Sequence, residues 1–209
     1  MKTSNTSYCF IIVFLLSATT IFAQEDTSKW RALLAVGVNS PSQSGFVSNF
    51  EGNTINFPTI NLGVQTMFNS KMGAKLDLGY NRFTNADNSP DFKVNYTRIN
   101  AQFVYDATAH LQFLPLRMAV VGHIGPGYSI VKPLDVYGDN NVSFLNAMAG
   151  LEFHYNLDKT LSLYLDGSYI KGFANDFEPE LSGYGSFNGN LLTVTVGVSI
   201  ALSGCRTCN

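Results

Sequence analysis

Charge is scarce in this chain. Asp, Glu, Lys and Arg make up 13% of its 209 residues, where soluble domains usually carry about 25%. The formal net charge is −2, and no basic tract stands out, so nothing suggests a nucleic-acid partner and none is expected. Internal sequence repeats, low-complexity tracts and linkers are missing as well, so the chain reads as one domain. Beyond residue 23 no apolar run approaches the roughly 20 residues that a membrane-spanning helix needs.

What is present begins with an export signal. Lys2 supplies positive charge, Phe10 to Ala23 is mostly apolar, and Phe22-Ala23-Gln24 offers a small residue at a cleavage point. Residues 1–23 are therefore expected to be a signal peptide and 24–204 a barrel, with 205–209 a short periplasmic tail. Removing Lys2 changes the formal charge from −2 to −3.

The mature part is dominated by alternation. In Asn190 to Leu202 every second residue is a large aliphatic (Leu192, Val194, Val196, Val198, Ile200, Leu202), and Thr193, Thr195, Gly197, Ser199 and Ala201 lie between them. A period of two marks a strand with one apolar and one polar face. Seven earlier segments repeat it, giving predicted strands near 29–38, 57–68, 73–83, 94–105, 117–128, 143–155, 161–170 and 190–202. Long connections (39–56, 84–93, 129–142, 171–189) alternate with shorter ones (69–72, 106–116, 156–160). Export, eight alternating strands and loops of two lengths predict an all-β fold: an eight-stranded antiparallel up-and-down transmembrane β-barrel. The long loops are expected outside the cell and both termini in the periplasm.

One phase of each strand is then expected to face lipid and the other the lumen. In the lipid phase the aromatics collect at strand ends. Trp30, Phe68, Tyr105 and Tyr155 fall at the periplasmic ends, and Tyr80, Tyr128 and Tyr169 at the external ends, as two interfacial belts require. The lumen phase holds Arg31, Gly37, Asn61, Gly63, Gln65, Lys75, Asp77, Gly79, Asn81, Arg98, Asn100, Gln102, His123, Gly125, Gly150, Glu152, His154, Tyr164, Asp166 and Ser168. Its full charges balance: Arg31, Lys75 and Arg98 against Asp77, Glu152 and Asp166. Charges removed from bulk water need partners, so these six are expected to form a salt-bridged plug in a barrel only wide enough for its side chains.

Lys29-Trp-Arg-Ala-Leu-Leu-Ala-Val-Gly-Val-Asn39, Gly122-His-Ile-Gly-Pro-Gly-Tyr128 and Thr193 to Leu202 resemble the small eight-stranded outer-membrane barrels. The likeness is to the membrane domain of the outer membrane protein A family, in its Bacteroidetes-type form, across the whole mature chain. It implies a barrel used as an anchor. Some family members add a periplasmic peptidoglycan-binding domain. Here Asn209 follows the last strand closely, so that activity is not carried over, and the terminal aromatic common in such barrels is missing.

Chemistry has few candidates. Cys205-Arg-Thr-Cys208 spells CxxC, a redox or zinc half-motif. No helix follows to lower a thiolate pKa and no second ligand pair exists, so a passive periplasmic disulfide is expected, with a tether to another component as the alternative. Some eight-stranded barrels acylate or deacylate lipid A. That chemistry needs a base beside a nucleophile at the external edge, and His110, His123 and His154 are all placed elsewhere. The loop acids Glu51, Asp87, Asp91, Asp135, Asp139, Asp176, Glu178 and Glu180 outnumber Lys93, Lys132 and Lys171. They suit either solvated loops or cations bridging lipopolysaccharide. The resulting expectation is a non-enzymatic outer-membrane barrel without metal or cofactor, in contact with outer-membrane lipid and lipopolysaccharide. It would be structural or a subunit of a larger outer-membrane complex, with a narrow diffusion pore as the runner-up and a lipid A-modifying enzyme third.

Overall fold

The computed structural model describes residues 30–202. Eight antiparallel strands follow in chain order: β1 (Trp30–Pro41), β2 (Asn56–Met67), β3 (Met72–Thr84), β4 (Lys93–Asp106), β5 (Met118–Pro133), β6 (Val142–Asn156), β7 (Leu161–Phe173) and β8 (Leu191–Ala201). Each pairs with its neighbours, and β8 returns to β1 from Arg31↔Ala201 to Pro41↔Leu191, closing the barrel. Closure leaves no sheet edge, so every strand meets its backbone hydrogen-bond partners on both sides. Among the described residues no helix is long and apolar enough to cross a membrane.

The alternation resolves into two faces. Leu34, Val36, Leu62, Val64, Leu76, Leu78, Ile99, Leu163, Leu165, Val194 and Val196 are exposed on the outer wall. Their neighbours Asn61, Gln65, Lys75, Asp77, Arg98, Asn100, Thr193 and Thr195 are buried inside it. This is the reverse of a soluble barrel: an apolar exterior around a polar interior, the arrangement that a hydrocarbon solvent selects.

Long and short connections segregate to opposite ends. The loop end carries 42–55, 85–92, 134–141 and 174–190; the terminal end carries the three shorter turns and the chain ends of the barrel. Predicted and observed strands agree within three residues except in β5, which runs to Pro133 rather than stopping at 128. Ser129 and Val131 are buried inside and Ile130 faces out, so the strand continues with apolar residues on both faces. The turn 107–117 contains a short 3-10 segment, Thr108–His110, and an exposed Phe113 and Leu116.

The four long connections are knitted together. Ser42 and Asn190 exchange hydrogen bonds. Gln43 clasps Gly52 through both amide atoms at 2.8 and 3.1 Å. Glu51 N–H donates to Ser89 Oγ at 3.0 Å, and Asn140 Nδ2 donates to the carbonyls of Leu181 and Tyr184 at 3.1 and 2.8 Å. The loops thus form one ordered cap over the barrel mouth.

Candidate functional site

The lumen is the candidate site, and it is filled in layers. Nearest the termini, Arg31 Nη1 donates to Ser162 Oγ at 2.9 Å and Ser199 Oγ at 3.3 Å. Across mid-barrel, Lys75 Nζ meets Glu152 Oε1 at 2.5 Å and His154 Nε2 meets Glu152 Oε2 at 2.8 Å. His154 also stacks on Tyr164, with centroids 5.1 Å apart. Beside them, Asp166 takes His123 Nε2 at 3.0 Å on one oxygen and the Ser168 hydroxyl at 2.5 Å on the other.

Arg98 organises the next layer. It donates to Asp77 Oδ2 at 2.5 Å, Asn61 Oδ1 at 3.0 Å and Asn100 Oδ1 at 3.1 Å. Asn100 passes the chain to Asn146 at 2.6 Å, Asn146 to Ser129 at 2.8 Å, and Ser129 meets the Tyr96 hydroxyl at 2.6 Å. Glycine makes room for these groups. Gly79 stands opposite Arg98 in the register, and a Cβ there would lie 2.6 Å from the guanidinium carbon. Gly150 stands opposite His123, where a Cβ would meet Ser168 Oγ at 2.4 Å.

Above Tyr96 the filling changes character. Phe50, Phe83, Phe92, Val94, Tyr96, Val131, Phe144, Ile170, Phe187 and Leu191 form one buried apolar cluster that reaches down to Met148, on the terminal side of Asn146 along β6. Phe187, from the loop before β8, sits 5.0 Å from both Phe46 and Phe83. Phe50 stacks on Tyr184 at 5.4 Å. Here the barrel mouth and its loop cap share a core like that of a soluble protein.

Sequence reasoning did not find this cluster, although a signal existed: continuing the inward phase of β3 past Asn81 lands on Phe83, and that of β4 past Arg98 lands on Tyr96. Of the six residues expected to form an ionic plug, the structure brings Lys75 to Glu152 and Arg98 to Asp77. The remaining two do not meet. Arg31 lies among serine hydroxyls, and the partner of Asp166 is His123. Of the expected belt residues, Trp30, Phe68, Tyr105 and Tyr155 stand at the terminal end and Tyr80 and Tyr169 lie toward the loop end, whereas Tyr128, expected to end its strand, lies inside β5 because that strand runs on to Pro133. Phe57 and Phe173 add exposed rings at the loop end. Cys205, Cys208 and the signal peptide lie outside the described residues.

The buried chemistry is constrained. His123, Glu152 and Asp166 each bring a ligand atom within 4.8 Å of the others, a spacing compatible with a cation. The Lys75 ammonium already supplies that charge at Glu152. Ser168, His123 and Asp166 do not form a nucleophilic triad. The serine and the carboxylate both approach His123 Nε2, at 3.5 and 3.0 Å, whereas a triad needs one on each ring nitrogen. His110 pairs with Tyr105 OH at 2.7 Å in the terminal-end turn, at an exposed position. Among the described residues the loop acids form no group with metal-ligand spacing.

Solved structures with the same architecture share little sequence. Neisserial surface protein A matches with a TM-score of 0.56 and 12% identity, over 83% of this chain and 96% of that one. Ail, the attachment invasion locus protein of Yersinia pestis, gives 0.50 and 11%, over 83% and 99%. The N-terminal β-barrel domain of Pseudomonas aeruginosa OprF gives 0.50 and 7%, over 81% and 96%. The fold is that of the small eight-stranded outer-membrane barrels. No protein-family model and no curated protein matches the sequence. At these identities the shared property is the barrel.

Proposed function

We propose that the chain is an integral outer-membrane barrel with a closed lumen, acting as a non-enzymatic structural anchor that presents its loop cap outside the cell. The observation that carries this reading is the filled interior. Arg98, Glu152, Tyr96, Phe83, Phe187, Met148 and Ile170 are all below 2% exposed, so side chains from both halves of the lumen occupy the space a channel would need. The apolar outer wall supports placement in a bilayer, and the exposed rings at both ends suit its two interfaces. The long loops on one end and short turns on the other support the orientation with termini in the periplasm.

Reconstitution in planar bilayers tests the closed lumen. Little or no steady conductance is expected. Large, stable openings insensitive to substitution at Arg98 or Phe187 would overturn the reading in favour of a pore. Labelling of intact cells tests the orientation: cysteine variants at Ser44 and Ser182 should react and one at Ser70 should not.

A further inference from the structure

The loop cap is rich in acids, but the outer wall directly beneath it carries the opposite charge on one side. Arg82, Lys93 and Lys132 face outward there, next to the buried Phe83, Val94 and Val131. Strand register gathers them. Arg82 lies opposite Asn95, Asn95 lies opposite Lys132, and Lys93 is two residues along β4 from Asn95. Neighbouring strands are about 4.8 Å apart and alternate residues about 7 Å apart, so the three cations share a patch about 10 Å across.

The patch is built rather than incidental. Asn95 Oδ1 at its centre accepts from Arg82 Nε and from the Tyr80 hydroxyl, both at 2.9 Å. That ties the guanidinium to the wall beside the Tyr80 hydroxyl. Among the described residues no carboxylate pairs with Arg82, Lys93 or Lys132. The acid nearest to Lys93 in sequence, Asp91 of the preceding loop, accepts from Asn85 Nδ2 at 3.2 Å within that loop. Elsewhere at this level the outer wall offers only Lys171 of β7; β2, β6 and β8 contain no Lys or Arg, and the one in β1, Arg31, is in the lumen at the terminal end.

Immediately below the patch the wall turns apolar, through Ile99, Tyr128 and Ile130, all exposed. The apolar wall from Met72 to Tyr80, at about 3.3 Å per residue and a tilt of about 40°, is about 20 Å tall. The cations therefore lie just past the hydrocarbon, where lipid phosphates sit. An anion bound here has an apolar surface beneath it, which suits a headgroup with acyl chains and wastes that surface on a free ion.

We propose that Arg82, Lys93 and Lys132 form a binding site for the phosphate headgroup of a membrane lipid in the leaflet facing the long loops, with its acyl chains along Ile99, Tyr128 and Ile130. The site rests on the reading of the outer wall as lipid-facing. Arg82 supplies directed hydrogen bonds to phosphate oxygens and the lysines supply charge.

The full-length protein in detergent, equilibrated with equimolar phosphatidic acid and phosphatidylcholine, should retain the anionic lipid preferentially by native mass spectrometry. The double variant Lys93→Ala, Lys132→Ala removes no hydrogen bond of the barrel wall. It should reduce that preference about thirtyfold, the equivalent of about 1 kcal/mol per cation. Lys171→Ala should leave it unchanged. Equal retention of the two lipids by the parent protein would overturn the site, as would an equal loss in Lys171→Ala, or inorganic phosphate competing as well as the lipid. Co-flotation with vesicles separates the two proposals. A parent protein that never enters vesicles removes both, and one that inserts without headgroup preference removes only this site.

Discussion

The two halves of the lumen solve the same packing problem with opposite chemistry. Toward the termini, the interior is held by Lys75–Glu152, Arg98–Asp77 and His123–Asp166 with amides and hydroxyls between them. Toward the loops it is held by phenylalanines, Tyr96 and aliphatics, with the buried Asn39, Thr59 and Asn81 hydrogen-bonded to one another beside them. The polar half is enclosed only by the barrel wall, so its contents must satisfy each other. The apolar half is roofed by Phe46, Phe50, Phe92 and Phe187 from the loops, so it behaves as a hydrophobic core. The difference teaches that a narrow membrane barrel need not carry a uniform polar plug: wherever its loops fold inward, the inside becomes greasy too.

Breaking this contrast should be about equally costly in the two halves. In the polar half, Glu152→Ala strands both Lys75 and His154, and losing one partner of a buried pair costs about 3–5 kcal/mol. The heat-induced gel shift of the purified protein should move to markedly lower temperature. A double change, Arg98→Met with Asp77→Leu, removes both members of a pair and should be far milder. If the double change were as damaging as Glu152→Ala, pairing would not be what holds that half together.

In the apolar half, Phe187→Ala should cost about 3–5 kcal/mol through lost burial and the cavity left behind. No partner substitution should rescue it, and protease sensitivity of the loops should rise with it. An intact, resistant cap in this variant would show that the loops do not depend on the shared core. The outer wall gives a smaller effect: Val196→Arg places a charge on the lipid face at about 2–4 kcal/mol. Assembly of that variant at parent levels would mean that β8 faces the other way.

The smallest expected effect lies at the terminal end. Asp158, fully exposed in the 157–160 turn, accepts from Thr160 Oγ1 and from the Thr160 and Leu161 amides at 2.6–2.8 Å. The Thr160 side-chain bond first, and then these amides, hold its carboxyl below the ordinary range. A depressed folded-state pKa contributes stability that is present above the unfolded carboxylate pKa and is lost as pH falls through the folded value. Asp158→Asn should therefore lower the gel-shift midpoint slightly at neutral pH, and the gap from the parent should close in acid. A gap that widened on acidification would reverse the sign of this linkage.

Most of the fold was legible because lipid outside and amides inside print a period of two, as in Leu76-Asp77-Leu78-Gly79-Tyr80. Legibility failed where that contrast disappears. Ser129 to Pro133 reads as loop because Ile130 faces out and Val131 faces an apolar interior. The same erasure hid Phe83, Phe144 and Phe187 as a core. In the polar half, composition identified the charges but not their pairing, since partners are set by strand register and side-chain reach. Arg31 lies a layer below the acids, and His123, not counted among the charges, is the group opposite Asp166.

Phe187 carries a consequence for assembly. It belongs to the final loop of the chain, between β7 and β8, yet it fills the middle of a cluster built from β3, β4 and the loop after β1. The same loop docks on the first one through Ser42 and Asn190, beside the β1–β8 seam. The finished cap therefore draws on both the first and the last segments of the barrel. Zipping the seam and seating this ring bring the same first and last segments of the chain together. A barrel held open at β8 is therefore expected to have an unroofed mouth, with loops that gain protection from proteolysis when the first and last strands join.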